Sequence, residues 1–355
     1  MATMHSNSLP DAHGPVRISD PGDLIAAIPA LLGFWPRRSL VVVCLGGGDP
    51  SLVRAVMRHD LPSGGVGSAD RDALDRIVHV CGREEVDSVV AVVVDERANR
   101  RGTHNALVDE LGAGLAEHGI PMIGAHVLAQ VTAGQRWRGL LGDMRRGVLP
   151  DPEASEVALA QVLSGRAIRG SREELEAILE PDPVRDRQRL AVLIGRAHDR
   201  AGAPAAATQR ERLEFVLGRI ADLASSVAPT DDDVADLAVA LADVRVRDSL
   251  LCLAVTDEAD AAEQLWILLA RALPDRDRAE AAALLGFSAY ARGDGPMAGV
   301  AFAAALGADP DHRLAALLDD ALQSGVRPES VCELAATGRD VAGQIGVRMP
   351  PPVRC

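Results

Sequence analysis

The spacing of hydrophobic residues changes once along this chain, and that change limits the fold more than any other feature. Before about residue 150 there are short unbroken apolar runs: Ser39–Leu45 (SLVVVCL), Ser88–Val94 (SVVAVVV) and Met122–Leu128 (MIGAHVL). Runs of this length, rich in Val, predict strands buried on both faces. Stretches with helical spacing separate them, with Leu74, Ile77, Val78 and Cys81 forming one stripe and Leu107, Leu111 and Leu115 another. From residue 184 onward only helical periodicity is left, and Ala is abundant. The expected architecture is an N-terminal α/β sandwich with a mixed sheet, followed by an all-α, repeat-like C-terminal domain.

A length of 355 residues suits about two domains. Residues 1–15 read as a disordered tail and 16–150 as the α/β domain. Residues 151–183, bracketed by prolines, read as a linker with one short helix. Residues 184–340 form the helical domain and 341–355 a Pro-rich disordered tail. Ser19–Asp23 looks like a helix start ahead of Leu24–Leu32, and Gly33 a helix stop. Leu52–Leu61 alternates Val53, Ala55, Met57 and Leu61 with Arg54, Arg58 and Asp60, as a half-exposed strand in a hairpin with Ser39–Leu45 would.

Composition removes several function classes. The 37 basic residues are all Arg, which excludes a Schiff-base or P-loop lysine. Residues 16–150 hold 15 Arg against 16 acids, and residues 151–355 hold 22 Arg against 34 acids. An acidic second half argues against nucleic acid or an anionic membrane as partner. Aromatics are only 2% of the chain, too few for base-stacking platforms. Five cysteines without a CxxC pair predict buried thiols rather than a disulfide framework or a zinc site. No signal peptide is recognisable, and the longest apolar stretch, Leu24–Trp35, is interrupted by Pro29 and Gly33, so a cytoplasmic protein with no membrane partner is expected.

Catalytic signatures are scarce. Gly46–Gly48 precedes a strand, not a helix, so it reads as a hairpin turn and not a phosphate cradle. There is no GxGxxG, Walker A or GxSxG sequence, and nothing calls for a cofactor or metal. The best candidate follows SVVAVVV, at Asp95-Glu96-Arg97-Ala98-Asn99-Arg100-Arg101-Gly102-Thr103-His104. A strand's carboxyl end meets a helix start here, the usual ligand position in open α/β sheets. Arg97 and Arg101 could hold an anion, Asp95 with His104 could do acid–base work, and Arg54 would join if the strand order allows. His59-Asp60 reads as a strand-end surface pair, because adjacent strand residues point to opposite faces. Trp137 reads as a sheet-edge residue covering core, and Asp231–Asp233 as a helix-start cluster.

Residues 282–310, with Leu285-Gly286, Ala298, Phe302, Ala305 and Pro310, are similar to a tetratricopeptide repeat. A looser copy, Ala262, Trp266 and Pro274, lies 36 residues upstream. Such stacks bind proteins on a concave face, which makes Trp266, Phe287 and Tyr290 the candidate partner-binding residues. The segment Ile18-Ser19-Asp20-Pro21-Gly22-Asp23-Leu24, with Leu31-Leu32-Gly33-Phe34-Trp35-Pro36 and Ser39-Leu40-Val41-Val42-Val43, resembles the opening of an actinobacterial family of unknown function, family 4192. That resemblance implies a bacterial cytosolic protein and brings no activity, cofactor or catalytic residue. The leading expectation is a non-catalytic interaction or scaffold module whose helical domain binds a protein partner or a second copy. The alternative is an enzyme or sensor taking a nucleotide or phosphometabolite around Asp95–His104.

Overall fold

The computed structural model describes residues 3–5, 20–47, 52–62, 66–83, 86–97, 104–140, 145–163, 168–183, 185–202 and 207–353. The chain divides into two compact units, Met1–Leu175 with Leu322–Gly325, and Glu176–Ala321 with Val326–Cys355.

In chain order, the first unit holds β1 (Thr3–His5), α1 (Pro21–Leu32), β2 (Ser39–Gly46), β3 (Leu52–Asp60), α2 (Ser68–Arg83), β4 (Ser88–Val94), α3 (Asn105–Glu117), β5 (Met122–Leu128), β6 (Arg136–Gly139), β7 (Arg146–Val148) and α4 (Glu156–Leu163). The next helix, α5 (Arg172–Ala177), runs across the division. The seven strands form one mixed sheet in the order β1-β3-β2-β4-β5-β6-β7. Strand β2 is antiparallel to both β3 and β4, so β3 and β4 run in the same direction on either side of it. The β3–α2–β4 connection is therefore a crossover that skips one strand, and β4–α3–β5 is an ordinary one between parallel neighbours. Both cross the sheet in the same sense. Right-handed crossovers then put α2 and α3 on the same face, where their stripes meet Leu40, Val42, Met57, Ala91, Val93 and Val127 in one buried cluster.

The other face is closed as well. Val41, Val43, Val56, Val92 and Val94 are buried there, and every residue of α1 from Leu24 to Leu32 is buried. Asp20 caps α1 by accepting from the Gly22 N–H, and Gly33 ends it in the left-handed conformation at φ 74°. The 3₁₀ turn Pro152–Ala154 and α4 pack on α1. Residues 152–163 thus belong to the fold, which corrects the expected linker. Closure of this face also corrects the half-exposed reading of β3, whose residues Ala55–His59 are all buried. Thr3–His5, expected within a disordered tail, is an edge strand paired antiparallel with β3.

The second unit is helical: α6 (Arg187–Ala201), α7 (Gln209–Ala224), α8 (Asp231–Ala242), α9 (Val244–Leu250), a 3₁₀ stretch Leu251–Val255, α10 (Ala259–Ala272), α11 (Asp275–Ala291), α12 (Gly295–Ala308), α13 (Arg313–Gln323) and α14 (Pro328–Ile345). Asp231–Asp233 do open a helix: Thr230 and Asp233 form a reciprocal cap on α8. Helices α11 and α12 pack closely, with the Phe302 ring lying directly over Gly286. The expected disordered C-terminal tail is instead partly built in. Helix α14 continues to Ile345, Val347 and Met349 are buried, and the Val353 N–H donates to the Val255 carbonyl at 2.8 Å. Cys332 is disulfide-bonded, which corrects the expectation of five thiols. No helix among the described residues is long and apolar enough to cross a membrane.

Candidate functional site

Strand direction decides which residues share an edge. Ser39 at the start of β2 lies between Asp60, which ends β3, and Val94, which ends β4. Val94 pairs in parallel with Leu128 at the end of β5. The carboxyl ends of β3, β4 and β5 therefore open on one edge, and the chain leaves that edge to begin α2 and α3. Positive helix ends and strand carboxyl ends meet here.

Asp95, the first residue past β4, is 5% exposed. Its backbone N–H donates to the Leu128 carbonyl at 3.0 Å, and its Oδ1 accepts from the Arg97 backbone N–H at 3.0 Å. Its Oδ2 lies 3.0 Å from Nε2 of His104, the residue just before α3. The approach is close but not aligned as a hydrogen bond, so Nε2 has no hydrogen-bonding partner among the described residues. Two of the sequence candidates thus meet. Arg97 contributes its backbone and is exposed, and Arg101 lies outside the described residues. Arg54 does not join them. It sits beside Ala55, which pairs with Cys44, and Cys44 pairs with Val89. From Val89 to Asp95 is six residues at about 3.3 Å each, which places Arg54 roughly 20 Å away at the opposite edge.

A second imidazole–carboxylate pair stands on the same edge. His59 pairs with Leu40, and Leu40 with Val93, so His59 projects on the α2–α3 face. Its Nε2 is 3.0 Å from Oδ1 of Asp70 in the first turn of α2, and Asp70 Oδ2 accepts from the Gly67 N–H at 2.8 Å. The Gly67 N–H foremost, and then His59, hold the Asp70 carboxyl below the usual carboxylate range against the opposing effect of burial. An ionised Asp70 makes Nε2 the donor, with Nδ1 on the far side of the ring. That Nδ1 is buried with no hydrogen-bonding partner among the described residues. Asp70 is depressed, so its stabilisation is complete above its unfolded pKa, about 3.9, and is lost as pH falls through the lower folded value. Asp70→Asn should therefore be less stable than the wild type at neutral pH. The gap should close in acid, as denaturant titrations at a series of pH values would show.

On the opposite face of β3, Arg58 is 5% exposed. Its Nε donates to Ser39 Oγ at 2.8 Å, Nη2 donates to Asp60, and its guanidinium carbon sits 5.7 Å over the Phe34 ring. Ser39 Oγ in turn donates to the Arg37 carbonyl at 2.7 Å. Burial foremost, reinforced by Arg172 and resisted by Asp60, lowers the Arg58 pKa. Phe34 and Ser39 are thus organised around one buried arginine.

A family model described as a domain of unknown function, DUF4192, matches residues 21–329. The chain belongs to the DUF4192 family. No curated protein and no solved structure matches it. The DUF4192 match runs from the first residue of α1 into the first turn of α14 and so includes both histidine–carboxylate pairs.

In the helical unit of the DUF4192 chain, the three aromatic candidates lie in the interior. Trp266, Phe287 and Tyr290 are each at most 1% exposed. Tyr290 donates its hydroxyl to the Val326 carbonyl at 2.6 Å and meets Phe302 edge-on at 6.4 Å. They are core residues, because large apolar rings in an Ala-rich bundle fill the gaps between helices. A cluster that sequence reading missed lies close to α11. His312 Nδ1 accepts from the Ala315 N–H at 3.1 Å, so its proton is on Nε2, 3.0 Å from Glu280 Oε2. Arg247 Nη1 also reaches that oxygen at 3.2 Å, and its Nη2 reaches Asp248 at 2.8 Å. Burial raises the Glu280 pKa, but His312 and Arg247 together outweigh it and hold the carboxyl below its usual range. A surface cavity of about 640 Å³ near the C-terminus is lined by Arg339, Arg348, Val347 and Met349, without an acid–base pair. No group of three or more His, Cys, Asp or Glu side chains among the described residues is arranged to hold a metal.

Proposed function

We propose that the α/β unit of this DUF4192 protein binds a small anionic molecule, a nucleotide or phosphorylated metabolite, at the carboxyl ends of β3–β5. Asp95 and His104 are its acid–base pair. The supporting observation is that pair: a sequestered carboxylate and an imidazole 3.0 Å apart where a core strand ends and α3 begins. The starts of α2 and α3 favour negative charge at the same edge. The scaffold reading loses its specific residues, because Trp266, Phe287 and Tyr290 have no surface to offer a partner.

The test is a thermal-shift screen of the full chain against nucleoside phosphates and sugar phosphates. A ligand at a hundred times its dissociation constant adds about 2.7 kcal/mol, which is a rise of several degrees. The rise should vanish in His104→Ala and in Asp95→Asn. A panel that leaves the wild type unmoved, or a shift that both variants retain, rules the proposal out.

A docking role for the helical unit is the second reading. It is favoured by the excess of 34 acids over 22 arginines beyond residue 150 and by the Gly286–Phe302 interlock, which is similar to that of tetratricopeptide hairpins. The occupant would be a basic protein segment. Capture of such a partner in low salt that survives His104→Ala would support it.

A further inference from the structure

Helix α2 is held to the sheet by side chains near both of its ends. In its first turn Asp70 meets His59, and in its last turn Cys81 meets Cys44 of β2. Asp70 and Cys81 are eleven residues apart, close to three turns of about 3.6 residues, so both point at the sheet. The Cys44 and Cys81 sulfurs are 3.4 Å apart, and the residues are 0% and 1% exposed. Both are thiols, as is the more isolated Cys252. A thiol pair at this distance needs an approach of only about 1.4 Å to reach the disulfide bond length of about 2.0 Å.

We propose that Cys44 and Cys81 are a redox modification site that closes to an intramolecular disulfide when the protein meets hydrogen peroxide. One sulfur, as thiolate, attacks the peroxide oxygen and becomes a sulfenic acid as the first water leaves. The second sulfur then displaces the hydroxyl as a second water. Two S–H bonds are lost and one S–S bond forms. The two electrons reduce the peroxide, and the two thiol protons end in the two waters. Because both sulfurs are sealed from solvent, the reaction proceeds through local opening of the last turn of α2. The product pins α2, the helix that carries Asp70, across β2. It closes a loop between cysteines 37 positions apart in sequence, which restricts the unfolded chain.

The test exposes the reduced full-length protein to hydrogen peroxide, removes the peroxide, unfolds and alkylates the chain, and maps the peptides without reductant. The expected result is a linked Cys44–Cys81 peptide pair, lighter by two hydrogens than the separate peptides and released by dithiothreitol, while Cys252 stays alkylated. Oxidation should raise the Tm of the wild type but not that of Cys81→Ala. The peptide map needs no variant, so poor folding of that variant would leave the first readout intact. Full alkylation of both cysteines after the exposure, or sulfinic acid at either one without the linked pair, overturns the proposal.

Discussion

Gly286→Ala is expected to destabilise the helical unit by about 2 kcal/mol, in the middle of the usual overpacking range. Helix propensity alone works the other way: alanine in place of glycine inside a helix gains about 1 kcal/mol. The substitution therefore separates two effects of opposite sign. A Cβ at position 286 would sit 2.3 Å from Phe302 Cε1 and 2.5 Å from Cδ1, distances no real contact tolerates. Phe302 is fully buried and edge-on to Tyr290, which is itself tied to the Val326 carbonyl, so the ring has little room to retreat. Urea unfolding of the wild type, Gly286→Ala, Phe302→Leu and the double variant forms a cycle. Favourable coupling of about 1 kcal/mol or more in the double variant is expected, since the smaller side chain relieves the clash. A Gly286→Ala protein as stable as the wild type would show that α11 and α12 do not approach as closely as described.

The second large effect lies in the Arg247–Glu280–His312 cluster. Arg247→Met should cost about 3 kcal/mol, because a mostly buried carboxylate then keeps only the imidazole as partner. Glu280 has its pKa held down in the folded state, so its stabilising contribution is complete above its unfolded value and lost as pH falls through the folded one. In Arg247→Met that depression shrinks and the acid-side loss should begin at higher pH. Replacing the pair together, as Arg247→Met with Glu280→Leu, should recover most of the loss, since a buried ion pair exchanged for apolar groups is often near neutral. Denaturant melts at several pH values measure both statements. A double variant no better than Arg247→Met would contradict the assigned pairing.

Legibility in the sequence followed sequence distance. Asp95 and His104 could be named in advance because both lie in the short stretch of sequence between β4 and α3. His59 could not be matched with Asp70 from sequence, because Asp60 is its immediate neighbour and the true partner stands eleven positions on, in the next helix. The alternation of β3 held the clue: His59 shares a face with Met57, and α2 begins over that face. Arg58 reads as a surface residue in any strand with one open side, and only the covering of the second face buries it. Trp266, Phe287 and Tyr290 show the converse error. A large aromatic on a helix serves an interface or a core equally well in sequence, and the number of helices around it settles which.

Local chemistry alone determined the Val-rich strands, the helices and most of their caps, and the change of architecture in mid-chain, because periodicity and capping act over a few residues. Tertiary structure alone decided that β2 runs against both of its neighbours, that Arg54 and Asp95 stand at opposite edges, and that Cys44 faces Cys81. Each of these depends on which strands pair and in which direction, and pairing is selected by burial summed over the whole sheet rather than by any one segment.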